Sequence, residues 1–240
     1  MEKLYDIFIT GDETDYFHYV SPTSYQKIAE AANYHNVKRM GLEMHRMMAE
    51  LNATWMTASM HLEICEDIYE AGPAEVYVEP MMVNRVLLTQ CLEIRRDGRP
   101  IARCEINTLC VDVRTRKVIR PETVLEHFGI PVIQGAGSME RLTMPEDMER
   151  IEAICVRYSD CDLNQHLRAY RYTDYVCDAA EYWSGAERKK GRHLYIEYMG
   201  ECQAKQILEL YKKDEGTGGT YVKGVRDDGR ESFKAYFVVE

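Results

Sequence analysis

Asp162, Asn164 and His166 are the side chains whose types and spacing most plainly suit chemistry: a carboxylate, an amide and an imidazole at every second position. Alternation puts all three on one face of an extended segment. An amphipathic helix is expected directly after them, from Leu167 to Trp183. Its apolar stripe is Tyr172, Tyr175, Val176, Ala179, Ala180 and Trp183. The first amides of such a helix lack intrahelical partners and would point at a developing oxyanion. Asp and Asn are equally good helix caps, and a nearby His could simply complete a surface turn. Spacing alone does not choose between the two readings.

The elements that must position these residues come from the rest of the chain. At 240 residues it can hold one large domain or two of roughly 100–120 residues. An apolar fraction of 45% with 29% charged residues is that of a soluble globular protein. The start, Met1-Glu-Lys-Leu-Tyr-Asp, lacks the pattern of a signal peptide, and no run is long and apolar enough to span a membrane. A cytoplasmic location is therefore expected. The eight cysteines form no C-x-x-C pair and read as small buried thiols. Nothing calls for a metal or a cofactor. A formal charge of −10 argues against general nucleic-acid binding.

Along the chain, residues 4–20 alternate and break at Gly11-Asp12-Glu13, which predicts a hairpin. Ser21-Pro22 is a helix start, with Tyr25, Ile28, Ala29 and Ala32 on the buried side. Strands are expected over 55–64, 74–79, 84–96 and 101–113, with Asp97-Gly98 as the turn between the last two. A short helix at 121–128 precedes a Gly/Pro-rich linker. The second half then repeats the first: strand 150–158, the motif, its helix, a long strand from His193 to Tyr211, and a closing hairpin. Ile94-Arg-Arg-Asp-Gly-Arg99 matches Val225-Arg-Asp-Asp-Gly-Arg230. The expected fold is α+β, a tandem (double) hot-dog in which two helices are each wrapped by a curved antiparallel sheet. The sheets join edge to edge, which removes exposed strand edges. Its parts would be 1–128, a linker 129–149, and 150–240 carrying the motif.

Asp162-Leu-Asn-Gln-His166 with Arg171-Tyr172, and later Glu197-Tyr-Met-Gly-Glu-Cys202, resemble the acyl-ACP thioesterase family of plants and bacteria. The likeness covers nearly the whole chain. It implies a double hot-dog enzyme that hydrolyses the thioester between a fatty acyl chain and acyl carrier protein, releasing fatty acid and ending elongation. The family's functional residues carry over onto Asp162, Asn164, His166 and Glu201, with Cys202 adjoining. One departure stands at the helix entrance. Where the family continues H-V-N-N-x-K-Y, this chain has His166-Leu-Arg-Ala-Tyr-Arg-Tyr172, so Arg168 and Ala169 replace two asparagines.

Under that resemblance Glu201 would be the general base on water. His166 and Asn164 would orient the water and donate to the thioester oxygen, with Asp162 as their support. The alternative is a Cys202–His166–Asn164 triad. Glu201 and Cys202, as neighbours on a strand, would face opposite ways, so only one could meet substrate. The first half has no D-x-N-x-H; Asp15-Tyr-Phe-His18 reads as hairpin polarity, and one site per chain is expected. The first half would supply the acyl-tunnel wall, with Met44, Met47, Met48, Trp55 and Met60 as candidate lining residues. Arg188, Lys189, Lys190 and Arg192 form a basic cluster suited to a small acidic partner, here acyl carrier protein with its acyl-phosphopantetheine; Arg114, Arg116, Lys117 and Arg120 form another. Competing functions are an acyl-CoA thioesterase and a non-catalytic acyl-thioester-binding protein. The fused pair already satisfies the usual hot-dog dimer, which leaves a further homodimer open.

Overall fold

The chain was described from a computed structural model, which covers residues 1–135, 141–184, 187–188, 190–216 and 218–239, with the backbone alone at 183–184 and 187–188. Its organisation follows from two helix starts. Ser21 has extended backbone, its hydroxyl accepts from the Ser24 amide, and Pro22 takes the first helical position; α1 then runs Pro22–Arg39. Gly41, at φ +74°, turns the chain out of it, and a separate helix α2 follows at Met44–Leu51. The second start is Arg168, and α4 runs Ala169–Ala179. Between them lies α3, Pro121–His127.

The strands of the first half are β1 (Glu2–Ile9), β2 (Ala53–Ile64), β3 (Gly72–Val78), β4 (Met82–Asn84), β5 (Leu87–Arg96), β6 (Arg99–Asp112) and β7 (Val118–Ile119). Those of the second are β8 (Glu149–Cys155), β9 (Trp183–Ser184), β10 (Glu187–Arg188), β11 (Gly191–Tyr198), β12 (Ile207–Glu215), β13 (Gly219–Arg226) and β14 (Glu231–Val239). The main sheet runs β1-β3-β5-β6-β2-β11-β14-β13-β12-β8, with β4 on β5 and β7 on β6; β9 and β10 pair separately. Read outward from the β2–β11 junction, the second half repeats the order of the first. At that junction the strands are antiparallel, with Ile196 opposite Met60 and Leu194 opposite Leu62. The duplication is thus a tandem hot-dog: α1 packs on β2, β3, β5 and β6, α4 on β14, and the two helices lie against each other.

One core runs through both halves. Tyr25, Ala29 and Ala32 of α1, Tyr172, Val176 and Ala179 of α4, and Leu62, Leu194, Phe233 and Phe237 of the sheet share a single buried cluster. A second cluster, Leu42, Met47, Val83, Leu88 and Leu125, lies under α2 and α3. Three sequence expectations are corrected. Residues 4–20 are not a hairpin: β1 pairs with β3, and Gly11–Glu13 is one 3-10 turn. The second helix is shorter than 167–183: the motif folds into a turn of its own, which delays the start to Ala169, and the helix ends at Ala179. The strand expected over 193–211 is broken between β11 and β12, where the amides of Met199 and Gly200 both bond to Ser232 O and leave the ladder.

Candidate active site

Asp162 to His166 is a closed turn, not the extended segment that alternation suggests. The Asp162 carboxylate accepts from the backbone amides of Asn164 (2.8 Å) and His166 (3.1 Å), and its second oxygen accepts from Asn164 Nδ2 (3.3 Å). The Asp162 amide donates to His166 O (2.8 Å), and Gln165 takes φ +67°. Asp is suited to this because a short acceptor can fold back on amides two and four residues ahead.

The first half contains the same turn. Asp15 accepts from the amides of Phe17 (2.9 Å) and Tyr19 (3.1 Å), its own amide donates to Tyr19 O (2.6 Å), and His18 has φ +65°. Asp15-Tyr-Phe-His18 is therefore the structural counterpart of the motif and not a piece of hairpin. The two turns differ at the candidate positions, where Phe17 and Tyr19 stand for Asn164 and His166. An aspartate kept by both turns is an architectural residue. Asn164 and His166 are what the second turn adds.

Glu201 meets His166 from across the gap. The segment carrying it follows β11 and is held from below: Arg226 Nη1 donates to Glu201 O (2.6 Å) and Ser232 Oγ to Gly200 O (2.9 Å). Glu201 Oε2 lies 3.4 Å from His166 Nε2. Arg116, from the turn between β6 and β7, reaches over from the first half and places Nη2 3.2 Å from both Glu201 oxygens. Asp112 shapes that turn by accepting from the amides of Arg114 and Thr115, and Arg116 itself has φ +58°. The sequence marks Arg116 only as one of a basic cluster; its pairing with Glu201 depends on the fold of the junction.

Asp162, Asn164, His166, Glu201 and Arg116 line one cleft of about 520 Å³, together with Met44, Met48 and Trp55. An adjoining cavity of about 460 Å³ shares Asp162, Asn164, Met44 and Trp55 and continues past Met60 to Ile106, Leu88 and Met81. Of the five expected lining residues, Met44, Met48, Trp55 and Met60 border this space. Met47, on the same helix as Met44 and Met48, points into the second core. Cys202 is not brought to the cleft. It has no exposed surface, and burial pushes its thiol up to about 11. A thiol of that kind is a packing group, not a ready nucleophile.

The helix start completes the site. Ser21 caps α1, whereas Arg168 at the matching position of α4 makes no side-chain cap. Its guanidinium instead donates to Tyr170 Oη (3.0 Å), and Ala169 and Tyr170 border the second cavity. The amides of Ala169 and Tyr170, first in the helix, have no intrahelical partner. Arg171 braces the approach through Asp160 (2.8 Å) and Asp174 (2.7 Å). Of the basic cluster at 188–192, Lys190 is exposed, Arg192 pairs with Asp67 (3.3 Å), the side chain of Arg188 is not described, and Lys189 lies outside the described residues. Among the described residues no helix is long and apolar enough to cross a membrane.

Residues 144–235 match the family described as the acyl-ACP thioesterase C-terminal domain. No curated protein matches the chain. Among solved structures it is similar to the 12:0-ACP thioesterase from Umbellularia californica, at 17% identity and a TM-score of 0.84, covering 98% of this chain and 96% of that one. It is also similar to an acyl-ACP thioesterase from Bacteroides thetaiotaomicron, at 16% identity and a TM-score of 0.81, again covering 98% and 96%. At such identities the structural likeness carries the fold, and the family match falls on the half that holds the turn, the uncapped helix and Glu201. Residues 144–235 therefore form a domain of the acyl-ACP thioesterase C-terminal family, set in a fold that the whole chain shares with the acyl-ACP thioesterase structures.

Proposed function

We propose that the protein hydrolyses fatty acyl-[acyl carrier protein], with Glu201 as the base that takes a proton from water. The observation that supports this best is Glu201 facing the cleft, within reach of His166, while Cys202 is sealed in the core. Thioester hydrolysis needs an activated water, a site for the oxyanion, and a proton for the leaving thiolate. Glu201 accepts the proton as the water oxygen attacks the carbonyl carbon. The negative charge that develops on the carbonyl oxygen is met by the free N–H of Asn164 Nδ2 and by the uncapped amides of α4. Collapse breaks the C–S bond, and the thiolate of phosphopantetheine takes up the proton that Glu201 holds. His166 orients Glu201 and the water. Asp162 acts one step back, by fixing the turn that carries Asn164 and His166.

Arg116 fits the same scheme as the residue that keeps Glu201 turned toward His166. Its chain neighbours Arg114, Lys117 and Arg120 are exposed and, flanking cleft-lining Arg116, would form a basic rim for an acidic carrier. This rim suits acyl carrier protein better than the 188–192 cluster does, because Arg192 is already paired. The test is steady-state hydrolysis of acyl-ACP and acyl-CoA of matched chain length, by wild type and by a variant with Arg114, Lys117 and Arg120 changed to Glu. The expected result is a preference for acyl-ACP that the charge reversal removes through KM. Equal use of both carriers would make the protein a general acyl thioesterase, and binding of both without turnover would make it an acyl-thioester sensor.

A further inference from the structure

The cavity that continues from the cleft is unevenly lined. Met60, Trp55, Ile106 and Leu88 suit an acyl chain, yet Glu30 of α1 stands in the same wall. A carboxyl group beside an alkyl chain loses its hydration and gains nothing in return. This one has little else to pair with. Its Oε1 accepts from Gln26 Nε2 (2.6 Å), and among the described residues no Lys, Arg or His forms an ion pair with it. Gln26 is itself fixed: Thr173 of α4 donates to its carbonyl oxygen, so its amide faces Glu30 and Tyr198 Oη (3.0 Å). Oε2 of Glu30 accepts no hydrogen bond among the described residues. Burial pushes the carboxyl up to about 7, so near neutrality it can both donate and accept.

We propose that Glu30 makes this cavity selective for acyl chains that carry a hydroxyl group along their length. A hydroxyl at the right carbon pairs with Glu30 Oε2, whereas an unsubstituted chain covers the half-buried carboxyl and leaves Oε2 without a partner. A site built to hydrogen-bond a substrate hydroxyl discriminates strongly against the analogue that lacks it. The inference rests on the acyl-ACP hydrolase reading and narrows its substrate class.

The test compares kcat/KM for unsubstituted acyl-ACPs with hydroxyacyl-ACPs of the same length, the hydroxyl placed at successive carbons. Wild type is compared with Glu30→Leu and Glu30→Gln. Wild type should favour one hydroxyl position by roughly tenfold or more. Glu30→Leu should lose that preference and gain on unsubstituted chains, and Glu30→Gln should keep part of it. Preference for unsubstituted chains at every position in wild type would overturn the proposal. So would a hydroxyl preference that survives Glu30→Leu. In both cases acyl-ACP is still hydrolysed, so the parent reading stands; no turnover of any acyl-ACP would overturn both.

Discussion

Asp162 and Asp15 do the same job in the two halves, and this separates architecture from chemistry within the motif. Each carboxylate closes a turn by accepting two backbone amides. Asp162→Ala and Asp15→Ala are each expected to cost about 1–3 kcal/mol of stability, the range for charge-assisted hydrogen bonds. Only Asp162→Ala should also lower kcat, because only its turn carries Asn164 and His166. Thermal melts and steady-state kinetics on the pair check this; equal kcat losses would contradict it. The sequence displayed these residues by type and spacing, and a period of two implied a strand face. The turn was not visible there, because it depends on side-chain-to-backbone hydrogen bonds and on Gln165 with positive φ. Which of Glu201 and Cys202 meets substrate was equally out of reach. The two are not on a strand, and which of them faces the cleft is set by how Arg226 and Ser232 hold the segment.

At the level of elements, α1 and α4 show what the duplication kept and what it changed. Both follow a 3-10 turn and a closed Asp turn, but Ser21 caps the first and the second is left open at Arg168. An uncapped start gives up about 1 kcal/mol of helix stability. In return, its amides are free for an oxyanion. Arg168→Ser is therefore expected to raise Tm by a few degrees while lowering kcat, since the new hydroxyl competes for those amides. Differential scanning calorimetry and kcat on the same preparation test it, and a rise in both would show that the amides take no part. Ser21-Pro22 made the first helix legible from sequence. The second was placed but made too long, because the apolar stripe runs on past Ala179 to Trp183, which stands in β9.

The main sheet runs through both halves, with the candidate site set across its middle. Glu201 and His166 come from the second half, Arg116 from the first, and the adjoining cavity lies between α1, the first-half strands and the motif turn. The repeat was legible because the strand order and the Asp-Gly hairpins recur at matching places. The Arg116–Glu201 contact was not, since it joins residues 85 positions apart across the β2–β11 junction. Glu30 gives this assembly a pH dependence. Burial raises its carboxyl from 4.5 to about 7, so between those values the folded state binds more protons than the unfolded chain. Stability from this group is present below about pH 4.5 and is lost as the pH rises to about 7. Glu30→Gln should flatten that part of the stability profile, by a few kcal/mol at most. Urea melts of both proteins across the range measure it; parallel profiles would mean that Glu30 is charged in the fold. The central claim, that water is activated by Glu201, is tested most directly by kcat for acyl-ACP in Glu201→Gln and Cys202→Ser. A loss of roughly a hundredfold or more in Glu201→Gln, with Cys202→Ser close to wild type, is the expected result. A large loss in Cys202→Ser, with Glu201→Gln active, would contradict it and return the chemistry to a thiolate.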